Sequence, residues 1–370
     1  MASTERSSGL DGVVVADTRL SDVDGAAGRL TIAGYDIERL AREVTYEHAW
    51  ALLWDGQLPD PARRSEVARA LGAARARAFE RLPRLGDALA AADGMDALRA
   101  ATAHLCPAGD LAAQALEVTG AIAVVATAWA RRRTGVAPVA PDPSASHAAD
   151  VLRMMHGQPS LPGAIRALDA YLVTVLDHGL NASTFAARVV ASTGSDLVSA
   201  VVAAIGALKG PLHGGAPGPV LDMLDAIGAP ERAAPWLEAE LAAGRRIMGM
   251  GHRVYRVRDP RAAVLERALS ELERDEVGQA DTAGRLALAR AAERAAEELL
   301  RARHPERPLR ANVEFYTAVL LDAVGVHRTL FTPMFALSRV GGWCAHVAEQ
   351  RASGRLIRPA SRYVGPPAER

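Results

Sequence analysis

The 370-residue chain lacks the features that mark several large protein classes. Its two cysteines, Cys106 and Cys344, are too few for a disulfide framework, which argues for a reducing compartment. Forty-three basic residues face 43 acidic ones, so there is no basic excess of the kind a general nucleic-acid binder carries. Lys209 is the only lysine; every other basic residue is arginine, which reads as a codon-usage habit. The start, Met-Ala-Ser-Thr-Glu-Arg, has no apolar core of a signal peptide. The most apolar run, 118–130, is about 13 uncharged residues, short of the ~20 that span a bilayer. Gln114 and Glu117 precede it and Arg131-Arg132-Arg133 close it, so a buried core helix is expected, in a soluble cytoplasmic protein that binds no membrane. Gly-rich P-loops, His-Glu-x-x-His and Cys-x-x-Cys are all absent, which removes those phosphate-binding, zinc and thioredoxin-type readings.

What is present favours helices. Aromatics make up only 4% of the chain, and roughly a fifth is alanine, the best helix former. Residues 46–54 and 64–80 read as helices, and Arg131 to Pro143 as a loop. Ser195-Asp196 can cap a helix with Leu197, Val198, Val201, Val202, Ile205 and Leu208 on one stripe, stopped by Gly210-Pro211. Helical signals resume at Val220–Ile227 and Pro235–Ala243. Asp259-Pro260 marks a further start, residues 282–303 another helix, Asn312 a cap and Thr332-Pro333 the last long helix. Segments 12–18 and 29–33 are β-like around a turn-rich stretch from Ser21 to Gly28, so a small N-terminal hairpin is expected. The fold class is all-α, and the length suits two domains or one large one.

Three of the ten histidines stand apart because glycine or helix breakers surround them: His213 in Pro-Leu-His-Gly-Gly, His252 in Gly-Met-Gly-His-Arg, and His178 in Leu-Asp-His-Gly-Leu. His48, His104, His147, His156, His304 and His327 sit in ordinary helix or loop contexts. Arg261 falls in the first turn of the helix begun by Asp259-Pro260, where free N–H groups and the dipole already favour an anion. Arg339, Trp343 and His346 lie at i, i+4 and i+7 on one helical face. Gly341 and Gly342 inside that helix cost stability and imply that something packs closely there. Glu314, two residues after the Asn312 cap, would feel the helix N-terminus, which should lower its pKa and keep it ionised as a base. Arg358 follows Leu-Ile in a loop-like tail.

Together these segments resemble the citrate synthase family over nearly the whole chain, in order. The segments are 203–216 (AAIGALKGPLHGGA), 249–262 (GMGHRVYRVRDPRA), 312–318 (NVEFYTA), 331–346 (FTPMFALSRVGGWCAH) and 356–359 (LIRP). Residues 9–25 and 177–189 fit as well. The resemblance is nearest to the short actinobacterial branch called citrate synthase 2, with 2-methylcitrate synthase a close relative. It implies condensation of acetyl-CoA with oxaloacetate and thioester hydrolysis, without a cofactor or metal, in a helical homodimer with shared active sites. It also implies a large domain of residues 1–215 and 321–370 and a small one of 216–320, the break falling at the Gly/Pro cluster 214–219. The resemblance assigns His213 to the thioester oxygen and His252 to the oxaloacetate carbonyl. It assigns His178, Arg261 and Arg339 to oxaloacetate, Arg256 to a CoA phosphate, and Arg358 to the partner chain's site.

Two positions depart from the family's pattern: Glu314, where aspartate is usual, and Gly179, where glutamate usually follows the histidine. Oxaloacetate is a dianion, and arginine forks suit carboxylates. Deprotonating a thioester methyl needs a base and a donor for the developing oxyanion. Three rival readings remain: a 2-methylcitrate synthase using propionyl-CoA, a binding or regulatory protein on the same fold, and a metal site of His178, His213, His252 and Glu314.

Overall fold

Asp, Asn and Pro caps divide the alanine-rich sequence into helices, and their apolar stripes supply the core. The computed structural model describes residues 8–10, 12–214, 217–252, 254–275, 280–306 and 309–366. Among these residues the helices are α1 (Ile37–Glu43), α2 (Tyr46–Asp55), α3 (Pro61–Arg81), α4 (Gly94–Ala103), α5 (Leu111–Arg133), α6 (His147–His156), α7 (Pro162–Val175) and α8 (Ala182–Ser192). The chain continues through α9 (Leu197–Leu208), α10 (Pro217–Ile227), α11 (Ala233–Ala242), α12 (Pro260–Asp275), α13 (Ala280–Arg303), α14 (Val313–Ala323) and α15 (Phe331–Ser353). The all-α class therefore holds. Asp196 caps α9 by accepting the Ser199 N–H, and Asn312 caps α14 by accepting that of Glu314, both as the sequence predicts. Gly244 and Gly325, at φ +73° and +79°, follow the ends of α11 and α14 in the left-handed conformation that closes helices.

Helix α5 is apolar on nearly every side and packs against α3, α4, α6 and α15. It is longer than the uncharged run because the flanking Gln114, Glu117 and arginine triad join it. At 23 residues it is long and apolar enough to cross a membrane by length and composition, but most of its apolar window is buried inside the fold. Helix α15 lies across α5, α7, α8 and α9, while α12 packs on α1, α7 and α14. The expected domain break includes Gly215 and Ala216, which lie outside the described residues.

The N-terminal hairpin is instead a three-stranded antiparallel sheet of β1 (Ser21–Asp24), β2 (Arg29–Ile32) and β3 (Tyr35–Asp36). Residues 13–18 form no strand; Val14 is 83% exposed and has no ladder partner to hide against. Strand β1 falls on residues the sequence marks as a turn, with Ser21 opposite Ile32. The turn between β1 and β2 rests on residues 254–258. Gly25 accepts the Arg256 N–H at 2.9 Å, and neither Gly25 nor Gly28 leaves room there for a Cβ.

Candidate functional site

Two glycines shape the turn that carries His252. Gly249 and Gly251 take φ of +73° and +87°, which lets the chain double back beside residues 310–312. A short ladder joins them: Gly251 N–H to Arg310 O (2.7 Å), Asn312 N–H to Gly249 O (3.0 Å), and Asn312 Nδ2 to Gly251 O (2.9 Å). Because Asn312 also caps α14, one ladder fixes both His252 and Glu314.

The main-chain amides of Val254 and Tyr255 donate to His252 Nδ1 at 3.0 and 3.1 Å. Nδ1 therefore carries no proton, and the neutral ring holds its proton on Nε2. Arg261 Nη2 lies 3.4 Å from that Nε2, a long contact between two donors in this tautomer. The guanidinium is engaged elsewhere. Asp259 grips it with both oxygens, Oδ1 to Nε at 3.0 Å and Oδ2 to Nη2 at 2.7 Å, and also accepts the N–H groups of Arg261 and Val313. The helix-start aspartate is thus also a buried counter-ion.

His178 lies between α7 and α8. Its Nε2 is 3.1 Å from the Tyr255 hydroxyl, and its ring stands edge-on to His252 at 5.7 Å. The expected helical face of α15 reads this same segment. Arg339 Nε donates to Val175 O (2.9 Å), Trp343 Nε1 to Ser183 Oγ (3.2 Å), and His346 Nε2 reaches Asp177 at 3.1 Å. Gly342 explains the approach: a Cβ there would collide with the Leu176 carbonyl oxygen. Behind Asp177, Arg188 donates to His346 Nδ1 (3.1 Å), while Ser21 of β1 donates to Asp177 and accepts the Gly179 N–H. Gly179 occupies the left-handed region (φ +59°), where a glutamate would be strained.

His213 follows α9 in a turn closed by its own N–H to Gly210 O (2.9 Å) and held to α15 by Thr332 Oγ1 on Gly214 O (2.8 Å). The Ser183 N–H donates to His213 Nε2 at 3.2 Å. The same Nε2 lies 2.9 Å from Ser183 Oγ, so the first turn of α8 holds the ring.

Arg339 is the electrostatic centre. It is 4% exposed, and its Nη2 has no hydrogen-bond partner among the described residues. Burial and the neighbouring Arg261 push its pKa down to about 10. Burial first, and the arginines second, hold His213 and His252 at about 4 and His178 well below its ordinary value, so all three rings are neutral near pH 7. The expectation for Glu314 is overturned. Its carboxyl is pushed up to about 7, because burial outweighs the pull of Arg261, Arg339 and its own helix-start amide. A helix N-terminus offers a fraction of a kcal/mol to about 2 kcal/mol, and removing a carboxylate from water costs more.

His178, His213, His252, Arg261, Arg339 and Glu314 thus form one electrostatic neighbourhood. Arg256 and Arg358 do not join it; both side chains are exposed. The Arg358 tail is pinned one residue earlier, where the Ile357 N–H donates to Ser192 Oγ (3.1 Å). Among the described residues no three His, Cys, Asp or Glu side chains are disposed to hold a metal. Main-chain N–H groups already occupy one nitrogen of each of two rings, His213 Nε2 and His252 Nδ1. Sequence reasoning does not single out Tyr255, Asp177 or Ser183. It reads Asp259 as a helix start, and its place two residues before Arg261 is the signal for its second role.

Comparison with known proteins places the chain beside one family. The family model described as "Citrate synthase, C-terminal domain" matches residues 9–360. A citrate synthase of Haloferax volcanii is 40% identical over 98% of this chain and 97% of its own length. A Mycobacterium tuberculosis protein named as a citrate synthase 2 is 39% identical, covering 97% and 92% of the two chains. A 2-methylcitrate synthase of the same species is 38% identical, over 96% and 90%. Among solved structures, citrate synthase from Pyrobaculum aerophilum superposes with a TM-score of 0.86 at 35% identity, covering 98% and 93%. The Thermoplasma acidophilum citrate synthase, solved with carboxymethyl coenzyme A and oxaloacetate, gives 0.84 at 30%, covering 99% and 98%.

Proposed function

The chain belongs to the citrate synthase family, whose members use oxaloacetate and an acyl-CoA, and we propose that its cleft condenses acetyl-CoA with oxaloacetate and then hydrolyses the thioester to citrate and CoA. The observation that carries this reading is Arg339: a buried guanidinium with a free Nη2, beside neutral imidazoles and a carboxyl that titrates near neutrality. Ionised Glu314 takes a proton from the acetyl methyl group, while the neutral His213 imidazole donates to the thioester oxygen as charge develops on it. The resulting enol carbon attacks the oxaloacetate carbonyl, polarised by the Nε2–H of His252. His178, Arg261 and Arg339 hold the carboxylates, and water then cleaves the thioester. The acyl-CoA, acetyl-CoA here or propionyl-CoA in the alternative reading, is a substrate rather than a bound cofactor.

Purified protein should release free thiol from acetyl-CoA only when oxaloacetate is present, with a higher kcat/KM than for propionyl-CoA. A preference for propionyl-CoA would assign it to 2-methylcitrate synthesis, since one methylene is worth only about 1–3 kcal/mol of discrimination. No thiol release from either would leave the binding or regulatory reading.

The exposed Arg358 fits a homodimer in which each tail completes the partner's oxaloacetate site, and exposed Arg256 fits a contact with a CoA phosphate. Residues 216–320 act as the smaller domain, closing over the substrates. Free Cys106 and Cys344 suit a cytoplasmic enzyme of the tricarboxylic acid cycle. Mixing Arg358→Ala chains with His213→Ala chains should restore activity, because one site of each heterodimer then keeps every group. Absence of recovery after verified subunit exchange would count against the shared site.

A further inference from the structure

Tyr255 touches both histidines that border Arg261, and does so through different atoms. Its main-chain N–H helps to fix His252 in one tautomer, at 3.1 Å from Nδ1. Its hydroxyl lies 3.1 Å from His178 Nε2, and its ring stands 4.7 Å from His252, 5.6 Å from His178 and 5.9 Å below the Arg261 guanidinium. The side chain is buried, 3% exposed.

The Tyr255 hydroxyl, 3.1 Å from His178 Nε2, donates to that nitrogen when the ring carries its proton on Nδ1. Among the described residues no other side chain hydrogen-bonds the His178 ring. We propose that Tyr255 is a positioning residue for the oxaloacetate pocket: its hydroxyl sets the tautomer and angle of His178 and ties the 178 segment to the His252 turn. This rests on the function proposed above. A ring without that bond is free to rotate, and a buried nitrogen left without a partner carries a penalty that corresponds to roughly tenfold in affinity. The cost falls on oxaloacetate, because the segment that carries His178 also holds Arg339 of α15, through Val175 O.

Tyr255→Phe removes one oxygen and keeps the ring packing. It should raise the KM for oxaloacetate about tenfold, with kcat and the KM for acyl-CoA changed less than about threefold. Nitrogen-15 spectra of the histidine rings should show one neutral tautomer of His178 in the parent and a mixture in the variant. In a His178→Ala background the same change should add less than about twofold, since there is no imidazole left to position. An unchanged or lowered KM, or the full effect surviving without His178, overturns the proposal. Should the parent release no thiol with either acyl-CoA, the function reading fails instead. The spectra then decide alone, and a single His178 tautomer persisting in Tyr255→Phe overturns the inference. Where thermal unfolding shows Tyr255→Phe to be poorly folded, the parent spectrum serves, and a His178 ring protonated on Nε2 overturns it.

Discussion

Replacing Glu314 by glutamine is expected to lower kcat by about 10²–10⁴, the range for loss of a positioned proton-transfer group. The pH profile makes the result specific. With its carboxyl pushed up to about 7, Glu314 is protonated and idle on the acid side, so kcat/KM should rise through about pH 7 and then level. The glutamine variant should lose that acid limb. Bound oxaloacetate would offset Arg261 and Arg339, the two cations that hold the carboxyl down, so the limb in kcat should lie at higher pH than the limb in kcat/KM. Stability moves the other way. The folded carboxyl binds its proton more tightly than an exposed glutamate at 4.5, so its contribution is lost as pH rises from about 4.5 through 7. Glu314→Gln should therefore be at least as stable as the parent at pH 8, which separates a catalytic loss from unfolding. Glu314→Asp should also lose activity, by up to ~10²-fold. The shorter carboxylate falls about 1 Å back from a position that the Asn312 cap and its ladder to 249–251 have fixed. Parental turnover in the glutamine variant would show that the proton goes elsewhere.

His213→Ala should cost about 10²–10³ in kcat, the scale of losing one donor to a developing oxyanion. The KM for oxaloacetate should hold, because His213 faces the thioester. Ser183 retains Asn181 and Trp343 as partners, so the surrounding segment keeps its anchor. With its pKa at about 4, His213 should add no inflection to the parent's profile between pH 5 and 9. A variant whose loss appeared wholly in the oxaloacetate KM would place the ring on the wrong substrate.

Much of the fold and of the candidate site is legible in the sequence. Caps such as Asp196 and Asn312 are local, since a side chain accepts an amide two or three residues ahead, and local chemistry is written in local sequence. The glycine-flanked histidines and the close approach at Gly342 were readable because backbone geometry constrains residue choice there. What escaped depends on contacts far apart in sequence. Strand β1 carries turn-like polar residues, yet Ser21 is buried because Asp177, 156 positions away, accepts its hydroxyl proton. The pKa of Glu314 differs from the sequence expectation for the same reason: the helix end is written locally, and the burial that raises it is not. Asp259 looked like a cap and is one, but its grip on Arg261 follows from how the two side chains fold together. Gly179 departs from the family's pattern, and its left-handed backbone shows that this segment is built around glycine.

The N-terminal sheet meets the cleft through two main-chain amides. The Gly179 N–H ends on Ser21 Oγ and the Arg256 N–H on Gly25 O, one beside His178 and the other four residues past His252. Their exchange with deuterated solvent would report whether the sheet is seated, residue by residue and without any turnover. An inactive variant that keeps both amides protected has lost chemistry. One that exchanges them early has lost the floor on which the histidines stand.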